Sequence, residues 1–387
     1  MKKFRILAVM LVSALLVSSL ASCGGTSASG AVKVGILAPL TGDVAQYGIA
    51  VSNGAKLYLD EFNAKGGLQI EYVEYDEEGD PAKAVTGYNH LVDQGITALI
   101  GDVTTTPTLA VVEVAKADNM PMITASATAA SVTYDAESDA VNGNVFRSCF
   151  IDPFQGTKMA SFVQEKLSAK TAAVLFCSED DYSIGLKDSF VEQAGRIGLE
   201  VVSTEAFAKG ATDFQAQLTN IAAKAPDVLF ISYYYGDVAL AAAQAKEAGV
   251  SATLIGADGW AGIMEVLTDP GVIEGAYYCS GYSSDDTTPA VQEFIKSYQA
   301  KYGEVPNMFA AQGYDAAKVI VNAVQKAVDA KLQPGSAEFK QAVIDNLKAT
   351  SLDCVTGHIT YDEYNNPEKD AVIINVKGGV ETFWGKY

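Results

Sequence analysis

The sequence predicts an α/β protein made of two doubly wound parallel-sheet lobes in tandem. Three observations lead there. Short apolar runs alternate with amphipathic segments of ten or more residues, and that alternation starts afresh near residue 146. The chain has 387 residues, 49% of them hydrophobic and 19% charged, which supplies apolar surface for two cores.

The first lobe opens with the apolar run Val32 to Leu37, a loop Ala38-Pro39-Leu40-Thr41-Gly42, and a helix whose apolar face recurs at Tyr47, Val51, Ala55, Leu59 and Phe62. Gly66-Gly67 ends that helix. Gln69 to Tyr75 alternates as a strand, and Asp80-Pro81 opens the next helix with an N-cap and a proline at its first position. Strand Ala98 to Ile100, helix Pro107 to Ala117 and strand Met122 to Thr124 continue the pattern. The second lobe follows Phe146 to Phe150: helix from Pro153, strand Ala172 to Phe176, helix Ile184 to Arg196, strand Leu199 to Ala206, helix Asp213 to Ala223 and strand Val228 to Ile231. Helix Val238 to Ala248 and strands Thr253 to Ile255 and Ala276 to Cys279 complete it. From Pro289 to Leu347 the pattern is almost wholly helical, and such late helices are expected to return to the first lobe. Gly357 to Tyr361 and Ala371 to Val376, joined through Asn365-Asn366-Pro367, read as a β-hairpin.

The N-terminus is a targeting segment. Lys2, Lys3 and Arg5 precede an uncharged apolar run to Leu20, the layout of a signal peptide, and no later stretch is long and apolar enough to span a bilayer. Leu20-Ala21-Ser22-Cys23-Gly24 resembles the lipobox of bacterial lipoproteins, which implies a diacylated Cys23; the alternative is an ordinary signal peptide cut nearby. Residues 24 to 30 are a Gly/Ser/Thr/Ala tether. Loss of residues 1 to 22 removes three bases and no acids, so the net charge moves from -20 to -23, a sign that repels nucleic acid. Cys149, Cys177, Cys279 and Cys354 have no CxxC or zinc spacing and lie in or beside apolar runs, so they are expected to be buried free thiols.

Catalytic chemistry has little to work with. His90 and His358 are the only histidines, which argues against His-based metal sites and Ser-His-Asp triads, and no Gly-rich phosphate loop follows the first strand. No enzyme activity, metal or cofactor is expected.

Ligands in such folds sit beyond the carboxyl ends of the strands. Gly101-Asp102-Val103-Thr104-Thr105-Thr106 follows one strand and Ala125-Ser126-Ala127-Thr128 its neighbour. Either loop alone is no more than N-capping, but hydroxyls and a helix N-terminus at two adjacent strand ends suit a carboxylate. In the second lobe Ser232-Tyr233-Tyr234-Tyr235 and Gly256-Ala257-Asp258-Gly259-Trp260 place aromatics and an acid at strand ends, as an ammonium ligand requires. Asp180-Asp181-Tyr182 and Tyr47 extend that wall.

Over residues 31 to 377 the motifs Val34-Gly35-Ile36-Leu37-Ala38-Pro39-Leu40-Thr41-Gly42, Tyr47-Gly48, Gly79-Asp80-Pro81, Asp152-Pro153-Phe154-Gln155-Gly156, Asp181-Tyr182-Ser183, Asp213-Phe214, Pro226-Asp227, Gly256 to Trp260 and Gly313-Tyr314-Asp315-Ala316 resemble the branched-chain amino-acid-binding proteins of ABC transporters. The resemblance implies the type I periplasmic-binding fold: two doubly wound parallel-sheet lobes joined by a three-strand hinge, with crossovers near residues 148, 282 and 354. It divides the chain into a signal peptide (1–22), a lipidated Cys23 with its tether (23–30), lobe 1 (31–148 plus 283–353) and lobe 2 (149–282 plus 354–387). It further implies Thr105, Ser126 and Thr128 as carboxylate contacts, Asp258 and the Ser126 carbonyl as the ammonium site, Tyr47, Tyr182 and Tyr234 as enclosing aromatics, and Ala127, Asp152 and Phe309 as further contacts. Thr105 stands where a Ser is familiar, and Asp258 where the best-known members carry Glu. The shorter acid sets the ammonium partner back by one methylene and leaves the ligand's side-chain class open. The expected protein is therefore an exported, membrane-anchored receptor for an amino acid, with an ABC permease, and the bilayer through Cys23, as partners. The alternatives are a receptor of the same fold for urea, an amide or an aromatic acid, or a ligand sensor.

Overall fold

A computed structural model describes residues 32–387. The expected signal peptide, Cys23 and the expected tether lie outside the described residues.

The first sheet contains β1 (Val32–Ala38), β2 (Ile70–Asp76), β3 (Ala98–Ile100), β4 (Met122–Thr124) and β7 (Val145–Arg147), all parallel, in the order β2-β1-β3-β4-β7. A small antiparallel ribbon, β5 (Tyr134–Asp135) with β6 (Ala140–Val141), precedes β7. Between these strands run α1 (Ala45–Ala64), α2 (Pro81–Asp93) and α3 (Thr105–Ala117). Asp80 caps α2, its carboxylate accepting from the Ala82 and Lys83 amides, as the Asp-Pro pair predicts.

The second lobe contributes α4 (Asp152–Leu167), β8 (Thr171–Cys177), α5 (Asp181–Ile197), β9 (Glu200–Phe207), α6 (Gln215–Lys224), β10 (Val228–Ser232), α7 (Tyr235–Glu247), β11 (Thr253–Gly256) and β12 (Tyr277–Ser280). Its strands run parallel in the order β12-β11-β10-β8-β9. Crossover helices cover the faces of both sheets, which explains strands that are apolar along most of their length, such as the fully buried β10.

After β12 the chain forms α8 (Pro289–Tyr302), α9 (Met308–Asp329) and α10 (Ala337–Lys348). As expected, these return to the first lobe: the contact between α9 and α1 is the most extensive helix pairing among the described residues. The two helices approach so closely because glycines meet at the crossing. A Cβ on Gly54 would stand 1.9 Å from the Ala310 carbonyl oxygen, and one on Gly313 would stand 2.1 Å from that of Val51.

The expected terminal hairpin is not formed. β14 (Gly357–Thr360) pairs with β13 (Ser351–Cys354), whereas β15 (Val372–Lys377) pairs antiparallel with β12 on one side and β16 (Val380–Lys386) on the other. Ile373 and Val376 are fully buried in the second lobe, so these residues were claimed by an existing sheet with an open edge at β12. A Tyr361–Pro367 bridge ties the first segment to the connection, not to the second segment. Cys149, Cys177, Cys279 and Cys354 are free and buried.

Candidate functional site

The two sheets turn their carboxyl-end loops toward each other, and a small cavity of about 10 Å³ lies between them. It is lined by Tyr47, Val103, Thr104, Thr105, Ser126, Thr128, Tyr182, Tyr234, Asp258, Gly259 and Phe309. Eight of the residues expected from sequence thus meet in one place.

The first-lobe wall is made by the loops after β3 and β4. Thr105 is the first residue of α3, whose N-cap, Thr104, makes no side-chain capping bond, so the first helical amides lie beside the cavity without a side-chain cap. The Ser126 hydroxyl donates to the Val103 carbonyl at 2.7 Å, tying the two loops together. The Ser126 and Ala127 amides both donate to Thr124 Oγ1, at 3.3 and 3.0 Å. The Ser126 hydroxyl proton is therefore engaged within the protein. Ala127 lies off the cavity wall; its carbonyl accepts from Arg147 Nη1 at 2.9 Å. Arg147 is fully buried and also reaches the Ala129 carbonyl and the Thr133 hydroxyl, so it holds the loop from behind.

The second-lobe wall is organised around Asp258, which opens a short 3-10 turn after β11 and is 2% exposed. Tyr182 Oη donates to its Oδ1 at 2.7 Å and Gln155 Nε2 to the same oxygen at 3.0 Å. In return the Asp258 amide donates to Gln155 Oε1 at 3.0 Å, and the Gly259 amide to Tyr182 Oη at 2.9 Å. Both side-chain donors converge on Oδ1, and neither reaches Oδ2. Burial pushes Asp258 up to about 6, opposed by the bonds from Tyr182 and Gln155.

Tyr182 and Tyr234 stack with ring centroids 5.0 Å apart and planes 5° from parallel. Tyr47 lies 4.2 Å from Phe309, ring centre to ring centre. Tyr47, carried by α1, also crosses the cleft: its hydroxyl donates to the Gly259 carbonyl and accepts from the Tyr235 amide at 3.1 Å. Thr106 Oγ1 donates to Asp180 Oδ2 at 3.4 Å, a second cross-lobe contact. The cleft is closed.

Asp152 does not reach the cavity. It is fully buried at the start of α4, neither carboxylate oxygen has a hydrogen-bond partner, and its amide donates to the Thr128 carbonyl at 2.9 Å. Burial holds its carboxyl well above the ordinary range, with Thr128 and Arg147 opposing the rise and Asp258 adding to it. It stands behind the wall formed by Thr128 and Asp258. Sequence reasoning missed Gln155 and Arg147 as organisers. Gln155 was within reach, because its i+3 spacing from Asp152 puts both on one face of α4; nothing local marks Arg147.

Among the described residues no group of three or more His, Cys, Asp or Glu side chains is arranged to hold a metal ion.

These features can be set beside known proteins. A sequence model described as "Periplasmic binding protein" matches residues 31–380. A Leu/Ile/Val-binding protein of Rhizobium johnstonii is 30% identical over 355 residues, covering 91% of this chain and 92% of its own. Among solved structures, the branched-chain amino acid transporter substrate-binding protein of Streptococcus pneumoniae, in complex with isoleucine, superimposes with a TM-score of 0.81 at 31% identity, covering 92% of this chain and 98% of its own. A solute-binding protein of an ABC transporter from R. palustris, in complex with benzoate, gives 0.82 at 26% identity, covering 92% and 96%. A match along nearly the whole described chain, on two facing doubly wound lobes, leaves one conclusion: the chain belongs to the periplasmic binding protein family.

Proposed function

We propose that this protein is an extracytoplasmic receptor that closes on a zwitterionic amino acid and delivers it to an ABC importer. The observation that carries the reading is the polarity of the cavity. One wall offers Thr105 and Thr128 beside uncapped helical amides, which suit a carboxylate, and the other offers a buried acid with one oxygen unclaimed, which suits an ammonium group. In this reading the Ser126 carbonyl joins Asp258 at the ammonium, Tyr47, Tyr182, Tyr234 and Phe309 enclose the side chain, and Ala127 and Asp152 support the wall from behind. Residues 31–148 plus 283–353 act as one lobe and 149–282 plus 354–387 as the other, hinged near 148, 282 and 354. Residues 1–22 are a signal peptide, and Cys23 carries the lipid that anchors the receptor to the outer face of a membrane, beside its permease. Nothing in this mechanism requires turnover or a cofactor.

The benzoate complex of one structural relative favours a second reading, an aromatic acid without an ammonium group, because the same cavity is walled by stacked tyrosines. The test is calorimetric titration of the mature, delipidated chain with the twenty amino acids, benzoate, urea and simple amides. Binding by amino acids that Asp258→Ala abolishes supports the first reading; binding by benzoate that Asp258→Ala leaves unchanged supports the second and removes the first.

A further inference from the structure

Glu77 and Asp102 are two fully buried acids that the binding site does not use. They arrive from the strands flanking β1: Glu77 follows β2, its amide donating to the Ala38 carbonyl at 3.3 Å, and Asp102 lies just beyond β3. Their positions at the ends of the two strands flanking β1 bring the carboxyl groups near enough to act on each other. Both Glu77 oxygens and Asp102 Oδ2 lack a hydrogen-bond donor; Asp102 Oδ1 accepts from the Val103 amide at 2.6 Å. Two carboxylates this near cannot both ionise in a site that offers so few donors.

Among the described residues the neighbouring bases are engaged elsewhere or remote: Lys209, beside Gly79 and Thr104, acts on Asp80 and Asp180. Lys33 is at the opposite end of β1, 3.9 Å from Glu71; Lys83 on α2 is engaged by Glu78 at 2.6 Å; Lys116 and Glu113 lie together at the far end of α3. Asp80 is occupied in capping α2. Asp76 adds negative charge beside Glu77, and it stays ionised despite partial burial because the Thr41 hydroxyl and the Leu40, Thr41 and Glu78 amides bind it. Burial pushes Glu77 up to about 7, with the nearby Gly79 and Asp80 amides opposing the rise, and burial together with Glu77 raises Asp102 well above its ordinary value against the Val103 amide.

Asp102 is also built into the cavity wall. Its carbonyl accepts from the Thr124 hydroxyl at 2.6 Å, the same hydroxyl that receives the Ser126 and Ala127 amides, and it is followed directly by the wall residues Val103, Thr104 and Thr105. We propose that Glu77 and Asp102 share one proton beneath the loop that receives the ligand's carboxylate, so that capture takes up a proton and weakens as the pair ionises. The linkage to capture rests on the carboxylate reading of that loop; the shared proton does not. A second anion above the pair makes ionisation harder, and each unit by which the ligand raises the pair's titration weakens binding about tenfold at high pH.

Two measurements on the full mature chain decide it. The first, without ligand, is urea unfolding at a series of pH values for wild type and Glu77→Gln, whose amide supplies permanently the donor that the proton supplies in wild type, with Asp102→Asn as the second variant. Wild-type stability is expected to fall relative to both variants as pH rises from the ordinary carboxyl range through the pair's raised titration, and then to level off. Parallel curves would overturn the shared proton. The second is calorimetry with L-leucine in two buffers of different ionisation enthalpy, where wild type should take up more protons than Glu77→Gln, and its affinity should drop about tenfold on the alkaline side where the variant's does not. Equal proton counts would overturn the linkage while the first measurement stands. Absence of L-leucine heat with a positive first measurement removes the ligand assignment and the linkage with it, and leaves the shared proton established.

Discussion

At the scale of single residues, Asp258 carries the largest consequence. If its unclaimed oxygen holds the ligand's ammonium, Asp258→Ala leaves that cation buried without a partner, and amino-acid affinity should fall by about 2 to 5 kcal/mol in a calorimetric titration. The pH dependence has a definite sign. Burial raises Asp258 from 3.8 to about 6 in the folded protein, so without ligand the group contributes stability at low pH that is lost as pH rises through about 6. An ammonium ligand favours the ionised form. Affinity should therefore decline as pH falls below about 6, and in Asp258→Asn that acid limb should be absent. Tyr47→Phe tests the other wall: it removes a hydroxyl that serves as both donor and acceptor across the cleft, and affinity should drop by about 1 kcal/mol per bond lost, with the fold intact by circular dichroism. Much of this cavity was legible in the sequence, because ligands sit at strand ends and Thr105, Tyr234 and Asp258 each follow a strand. Arg147 and the Glu77–Asp102 pair were not legible, since their significance lies in what is missing around them, and a missing donor leaves no mark on a sequence.

At the scale of elements, alternating strands and helices were readable from apolar periodicity, and observed bounds differ from the expected ones by a few residues, as with α5 beginning at Asp181 rather than Ile184. The terminal segments show where local reading stops. β15 is apolar enough for a hairpin arm, but its partner was decided by the free edge of β12, nearly a hundred residues earlier in the chain. Nor did the sequence show that the glycines of α1 and α9 face each other. Gly54→Ala would place a methyl group against the Ala310 carbonyl, which the backbones can relieve only by separating. This substitution is expected to destabilise the protein by about 1 to 3 kcal/mol in urea unfolding, although Ala is the better helix former in isolation. A gain in stability would mean that the helices do not cross at that distance.

For the whole molecule, function depends on the balance between the closed form described above and an open one. Across the cavity, side chains of one lobe reach the other through the Tyr47 hydroxyl to Gly259 and Tyr235, and through a long contact from Thr106 to Asp180. Against this, closing brings Asp258, Asp180 and Asp237 into a cleft where burial raises the titration of each, with Asp237 pushed up to about 6. A protein that gathers acids into a closing cleft resists closure until a cation arrives, which is what the proposed receptor function requires. The ligand-free chain at neutral pH should therefore populate the open form. Small-angle scattering should report a radius of gyration that contracts when saturating amino acid is added and also, without ligand, as pH falls and the acids take up protons. In Asp258→Asn the ligand-free chain should already be more compact at neutral pH. A radius that is insensitive to both ligand and pH would show that the acids do not oppose closure, and the balance would then have to be set at the hinge.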